Sequence, residues 1–177
     1  MTTSKQQLGR VAGLWVSVER SALAGSVVLW ALLSAIGVGL LQLPAGRAAL
    51  GGMAAMLLHW LSEIVHHLGH AWAARRTGYP MVGVRLSGLL SSSIYPTDEP
   101  PLPAAVHIRR ALGGPLASLL LTLLAAAILL VLRSLGGTVW WVALFFFLEN
   151  LLVFTLQVFL PLGFNDGGTL LYWWRRR

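Results

Sequence analysis

Long apolar runs separated by short charged segments make up most of this chain. A helix that crosses a bilayer needs about 20 mostly apolar residues. Ser21 to Pro44 meets that requirement without a single charge, and so does Ala111 to Leu132. Ala48 to Ala74 qualifies too, but carries its ionisable residues in its second half. Thr138 to Leu162 is broken only by Glu149. Residues 75–110 form the one long connection. Within it Val82, Val84 and Leu86 alternate with a period of two, which predicts a short strand or hairpin over Met81 to Leu90, lying at the membrane surface. The prolines of "YPTDEPPLP" make the next stretch an extended linker. No internal repeat is visible. The pattern predicts an all-α polytopic membrane protein: four transmembrane helices, with a short β-hairpin or strand between spans two and three.

Composition agrees. The 177 residues are 56% hydrophobic and only 11% charged, against roughly 25% charged in soluble domains. The net charge of +7 does not point to nucleic acid, because the arginines flank apolar runs and form no basic face with interleaved aromatics. Without cysteine there are no disulfides or thiolate ligands, so a metal site must use His, Asp or Glu. The N-terminus does not read as a signal peptide, since its charges run on to Arg20 and the apolar run that follows is too long. It predicts a plain first span.

Charge placement sets the expected orientation. With the N-terminus in the cytoplasm, Lys5, Arg10, Arg20, Arg75, Arg76, Arg85, Arg109, Arg110 and Arg175 to Arg177 are all cytoplasmic, and only Arg47 and Arg133 lie outside. Both termini are therefore expected on the cytoplasmic face of a multi-pass cell-membrane protein. "YWW" before the final arginines reads as an interfacial anchor.

The stretch "SEIVHHLGHAW" is the chemical anomaly. Glu63, His66, His67 and His70 recur at the spacing of one helical face, with His59 a turn earlier. Ionisable groups at membrane depth are costly and mark function. His66 and His70, four apart, are spaced to grip one zinc ion from successive turns. A third ligand must come from elsewhere. Asp166 follows span four, which ends at the same depth as the second half of span two. Its "NDGG" setting also suits a plain tight turn, and both roles stay open.

These residues carry a resemblance. "VHHLGHAWAARRTGYP" is similar to the "HELGHALAARRLGVP"-type segment of the site-2 protease family of intramembrane zinc metalloproteases. "RRALGGPLASLLLTLL" resembles that family's Ala-Gly-Pro segment, and "LPLGFNDGG" its "LPIPPLDGG" segment. The resemblance implies a zinc ion held by His66, His70 and Asp166. It also implies a three-span catalytic core over 48–168 (spans 48–74, 111–132 and 138–162) and cleavage of transmembrane protein substrates near the cytoplasmic face. Residues 1–20 are then a cytoplasmic segment, 21–44 an extra span and 169–177 an interfacial tail.

Two positions depart from the family pattern. His67 occupies the place of the catalytic glutamate, so the motif reads H-H-x-x-H. The asparagine that commonly stands three residues before the proline is replaced by Val158. Loss of a general acid–base costs about 10²- to 10⁴-fold. His67 itself, or Glu63 one turn earlier, is a candidate base; Glu149 is a third candidate, better explained by a neighbouring polar partner. A relative that binds metal and holds transmembrane partners without cutting them is the alternative, as is an inactivating substitution at His67. A metal or proton transporter is a weaker rival, because the histidines cluster on one side of the midplane. A substrate must unwind before hydrolysis, and a strand edge would hold it by main-chain pairing. That assigns Val82, Val84 and Leu86 to substrate binding. The lipid bilayer is the other expected partner.

Overall fold

The structure, a computed structural model, describes residues 6–177. Its elements run β1 (Gln6–Val11), β2 (Leu14–Val18), α1 (Arg20–Gly39), α2 (Ala45–Arg76), β3 (Gly83–Ser87), β4 (Leu90–Ile94), α3 (Ala104–Leu132), α4 (Gly137–Glu149) and α5 (Asp166–Trp174). A π-helical stretch, Asn150–Thr155, and a 3-10 turn, Leu156–Phe159, continue α4. Among the described residues, four helical segments are long and apolar enough to cross a membrane: α1, α2, α3 and the run Gly137–Phe159.

The distribution of side chains is that of a bilayer protein. Leu23, Val27, Leu57, Leu120, Leu123 and Val131 are exposed on the outer faces. His59, Ser62, Glu63, His66, His67, His70 and Asn150 are buried inside. In lipid the outward face must be apolar, and every inward polar group must find a partner. Helix α2 is the central element and touches α1, α3 and α4. Indole hydrogen bonds fasten it to α1: Trp30 Nε1 donates to the Ala49 carbonyl at 2.9 Å, and Trp60 Nε1 to Ser26 Oγ at 2.9 Å.

The four strands form one sheet in the order β1-β2-β3-β4. β1 and β2 pair antiparallel, as do β3 and β4, while β2 and β3 pair in parallel with Trp15 opposite Gly83 and Val18 opposite Leu86. The N-terminal segment, expected only as a cytoplasmic stretch before the first span, contributes two strands among its described residues. The signal was present: Leu14, Val16 and Val18 alternate as Val82, Val84 and Leu86 do. Leu14, Val84 and Leu86 join Ala22, Ala71, Ala74 and Met81 in the main hydrophobic cluster beneath the sheet.

The third and fourth helical regions differ from expectation at their ends. Helix α3 starts at Ala104, straight after Pro103, so it takes in Arg109 and Arg110. A charge-free window misses those residues because Arg110 is buried and paired with Glu99, its Nη1 donating to Glu99 Oε2 at 3.0 Å. The fourth span is α-helical only as far as Glu149.

Candidate functional site

A cavity of about 710 Å³ opens between α2, α3, β4, the π-helical stretch and α5. Glu63, His66, His67 and His70 line it from α2, and Asp166 from the start of α5. Ligand-type atoms of His66, His70 and Asp166 all lie within 4.8 Å of one another. The two Nε2 atoms are 3.0 Å apart, His66 Nε2 is 3.1 Å from Asp166 Oδ2, and His70 Nε2 is 3.4 Å from Asp166 Oδ1.

The imidazoles are oriented by their other nitrogens. His70 Nδ1 lies 2.8 Å from the Arg110 carbonyl, which can only accept, so Nδ1 carries the proton and Nε2 offers a lone pair. The Gly114 amide also lies 3.2 Å from that Nδ1, but the two donors cannot bond each other, and the shorter contact decides the tautomer. His66 Nδ1 faces Ser118 Oγ at 2.9 Å, which leaves its Nε2 turned toward the same point. Gly114 makes the space: a Cβ there would run into the Nε2 atoms of both His66 and His70.

Asp166 is delivered by a helix cap. Asn165 is the N-cap of α5, its side chain accepting from the Gly168 amide at 2.9 Å, while its Nδ2 donates to the Gln157 and Leu160 carbonyls. The two readings left open for "NDGG" are therefore compatible, since Asn165 makes the turn and Asp166 faces the histidines. Gln157, a residue that spacing did not single out, donates from Nε2 to Asp166 Oδ2 at 2.7 Å. The passage from π-helix to 3-10 turn aims it there; only its polarity in an apolar span hinted at a role. Burial raises the Asp166 carboxyl, but the hydrogen bond with His66, the charges of His70 and His66 and the Gln157 amide outweigh it and hold the group below the usual aspartate range. In the cavity wall, burial raises the Tyr95 phenol.

The donor set fits zinc. Bonds of about 2.0–2.1 Å in a tetrahedron give ligand–ligand edges of about 3.3–3.4 Å, and the separations above, 3.0 to 3.4 Å, are close to that. Nitrogen and carboxylate donors are the ligands zinc takes when no thiolate is present, and three of them leave a fourth position open.

The other candidates fall into different places. His67 lies beside the trio, its ring centre 5.6 Å from that of His70. Its Nδ1 is 2.9 Å from the Glu63 carbonyl and 3.5 Å from Glu63 Oε2, so this nitrogen carries the proton and Nε2 is free to accept one. Glu63 turns to the sheet, where Oε2 accepts the Ser91 amide at 3.2 Å. Glu149 does not line the cavity; it pairs with His59 Nδ1 at 2.7 Å, while His59 Nε2 meets the Leu89 carbonyl at 3.0 Å. Val84 and Leu86 are buried in the core, and β3 is paired on both sides, so it has no free edge. The strand that walls the cavity is β4, through Leu90, Ser91, Ser92 and Ser93.

No family model and no curated protein matches the sequence. Among solved structures, the site-2 protease from Methanocaldococcus jannaschii superposes with a TM-score of 0.61. It covers 95% of this chain and 70% of its own at 17% sequence identity. At that identity the likeness establishes the fold: a membrane-embedded architecture of the site-2 protease type.

Proposed function

We propose that this protein is an intramembrane zinc metalloprotease that hydrolyses peptide bonds of transmembrane substrates near the cytoplasmic face. The observation that carries the reading is the convergence of His66, His70 and Asp166 in a cavity walled by the free edge of a β-strand. His66, His70 and Asp166 would hold the zinc. Zinc in such a set polarises a carbonyl and lowers the pKa of a coordinated water toward about 7.

The remaining chemistry belongs to the chain. His67 Nε2 is the base that takes the proton of the attacking water and returns it to the leaving amine, with Nδ1 anchored on Glu63. Gln157 holds the Asp166 carboxylate, and the Asn165 cap holds the turn that presents it. The edge of β4 holds an unwound substrate segment by main-chain pairing. Residues 48–168 make the core, and the 21–44 span with β1 and β2 packs onto it.

Orientation follows the arginines. His70 precedes Arg76, the end of α2, by six residues, about 9 Å of helix. The arginine-rich ends of α2 and α5 thus belong on the cytoplasmic face, with the cavity just below it.

Purified protein in lipid vesicles, given a single-span substrate, tests the reading. Cleavage that chelator stops and zinc restores supports it. Absence of cleavage with metal and substrate still bound favours a second reading, a relative that holds transmembrane partners without cutting them. The observation behind that alternative is His67 in the glutamate position.

A further inference from the structure

Glu63 is the most deeply buried carboxylate near the cavity, 2% exposed, and the chemistry above gives it only an anchoring part. Its partner is informative. In an antiparallel strand, successive residues direct their main-chain groups to opposite edges. The Ile94 carbonyl points toward β3's side of the strand, where it accepts the Val82 amide at 2.8 Å. Ser91 and Ser93, of the other parity, therefore present their amides and carbonyls to the free edge of β4. Of those edge donors, the Ser91 amide is already taken, by Glu63 Oε2 at 3.2 Å. The same oxygen lies 3.5 Å from His67 Nδ1, so the occupied donor sits beside the histidine cluster of α2.

We infer that Glu63 is a register stop for substrate: by occupying the Ser91 amide it ends the ladder that an extended substrate segment forms on β4. The inference rests on the cavity being a substrate cleft. A substrate carbonyl arriving opposite Ser91 finds no donor and faces a carboxylate oxygen, which repels it. Pairing is confined to Ser93 and the Ser91 carbonyl. Strand register otherwise slips readily, and a slip of one residue turns every side chain to the other face. A slip of two keeps the faces and is the competing state. Glu63 excludes it by denying its first hydrogen bond, which fixes the peptide bond that is presented to His66, His67 and His70. Glu63 is thus a positioning residue that selects where a substrate is cut.

The chain has no cysteine, so Ser92→Cys, exposed on β4, supplies a single thiol. The probe is a membrane-spanning peptide of leucine and alanine with a central Gly-Gly break, prepared as a set with one cysteine at successive positions. Disulfide formation is driven with dithiodipyridine and read by mass spectrometry. One substrate position should dominate. Glu63→Ala should move that position by about two residues toward α2, the strand repeat, and Glu63→Gln, which keeps an acceptor, should not. Adding Ser91→Pro to Glu63→Ala removes the freed donor at an edge position that tolerates proline and should restore the original register. Glu63→Met, which keeps the volume without the acceptor, replaces Glu63→Ala where the latter does not accumulate. An unchanged register in both acceptor-free variants, or no dominant crosslink at all, overturns the inference. Because the readout needs no hydrolysis, a protein that crosslinks in register but never cleaves refutes the protease reading alone.

Discussion

Gly69 of α2 and Gly113 of α3 face each other so closely that a Cβ on either would strike the carbonyl oxygen of the other. This crossing brings α3 within reach of the histidines, so Ser118 and the Arg110 carbonyl can orient His66 and His70. Gly69→Ala should push the helices apart and cost about 1–3 kcal/mol, the range for overpacking a tight contact. Gly114→Ala tests the site more sharply, because its methyl group would stand against both Nε2 atoms. Zinc content should fall in Gly114→Ala, measured by elemental analysis of purified protein.

Asp166→Asn should bring bound zinc to a small fraction of the wild-type content, since it removes the anionic ligand. Gln157→Leu removes only the hydrogen bond that holds that ligand. A lost outer partner costs about 10- to 100-fold in metal affinity, and a competition titration against a zinc chelator would measure the loss.

His67→Ala should lower the rate of hydrolysis by about 10²- to 10⁴-fold, the usual contribution of a general acid–base, and His67→Glu, which supplies another base at the same place, should retain activity. Zinc content should not change, because His67 is not among the three converging donors. The assay is the rate constant for cleavage of a single-span substrate at saturating protein. A rate unchanged in His67→Ala, or raised about 10²-fold or more in His67→Glu, would mean that His67 is not the base.

Arg110 is buried, paired with Glu99 and stacked over the Tyr95 ring with its guanidinium carbon 4.1 Å from the ring centre. Glu99→Gln leaves that charge without its counterion. Breaking a buried pair from one side costs about 3–5 kcal/mol. Thermal unfolding in detergent should show the loss, with metal affinity falling alongside because the Arg110 carbonyl orients His70.

His59 and Glu149 form another buried pair, at 2.7 Å. Glu149→Leu alone should destabilise strongly. His59→Phe with Glu149→Leu should recover most of the loss, because an apolar pair of similar volume often replaces a buried ion pair at little cost. Cleavage by the double variant, per folded molecule, should match wild type, since Glu149 does not line the cavity.

The helices and the polar face of α2 were readable because both depend on local periodicity. Four ionisable residues spaced at three and four positions share a helix side whatever surrounds them. Asp166 was readable through depth, as the end of a span that returns to the level of His70. Other features depend on contacts between distant segments. Arg110 hides inside a helix because Glu99 neutralises it, so counting charges shortened α3. The assignment of substrate contact to Val82, Val84 and Leu86 recognised a strand but not its neighbours. Alternation gives the two faces of a strand and says nothing about which edge is free. With β2 on one side and β4 on the other, β3 is enclosed, and the open edge passes to the serine-rich strand. Gln157 was not matched to Asp166 because a π-helical turn shifts the residues after it relative to ordinary helical spacing.

Trp15 pairs with Gly83 across the whole of α1 and α2. During synthesis β2 emerges long before its neighbour and must wait while both hydrophobic hairpin arms are threaded into the bilayer. If either arm inserts in the wrong sense, the two strands end in different compartments and the sheet never closes. Assembly of the cleft is thereby conditional on correct insertion, and a mis-threaded molecule would lack the platform on which any protein could be held.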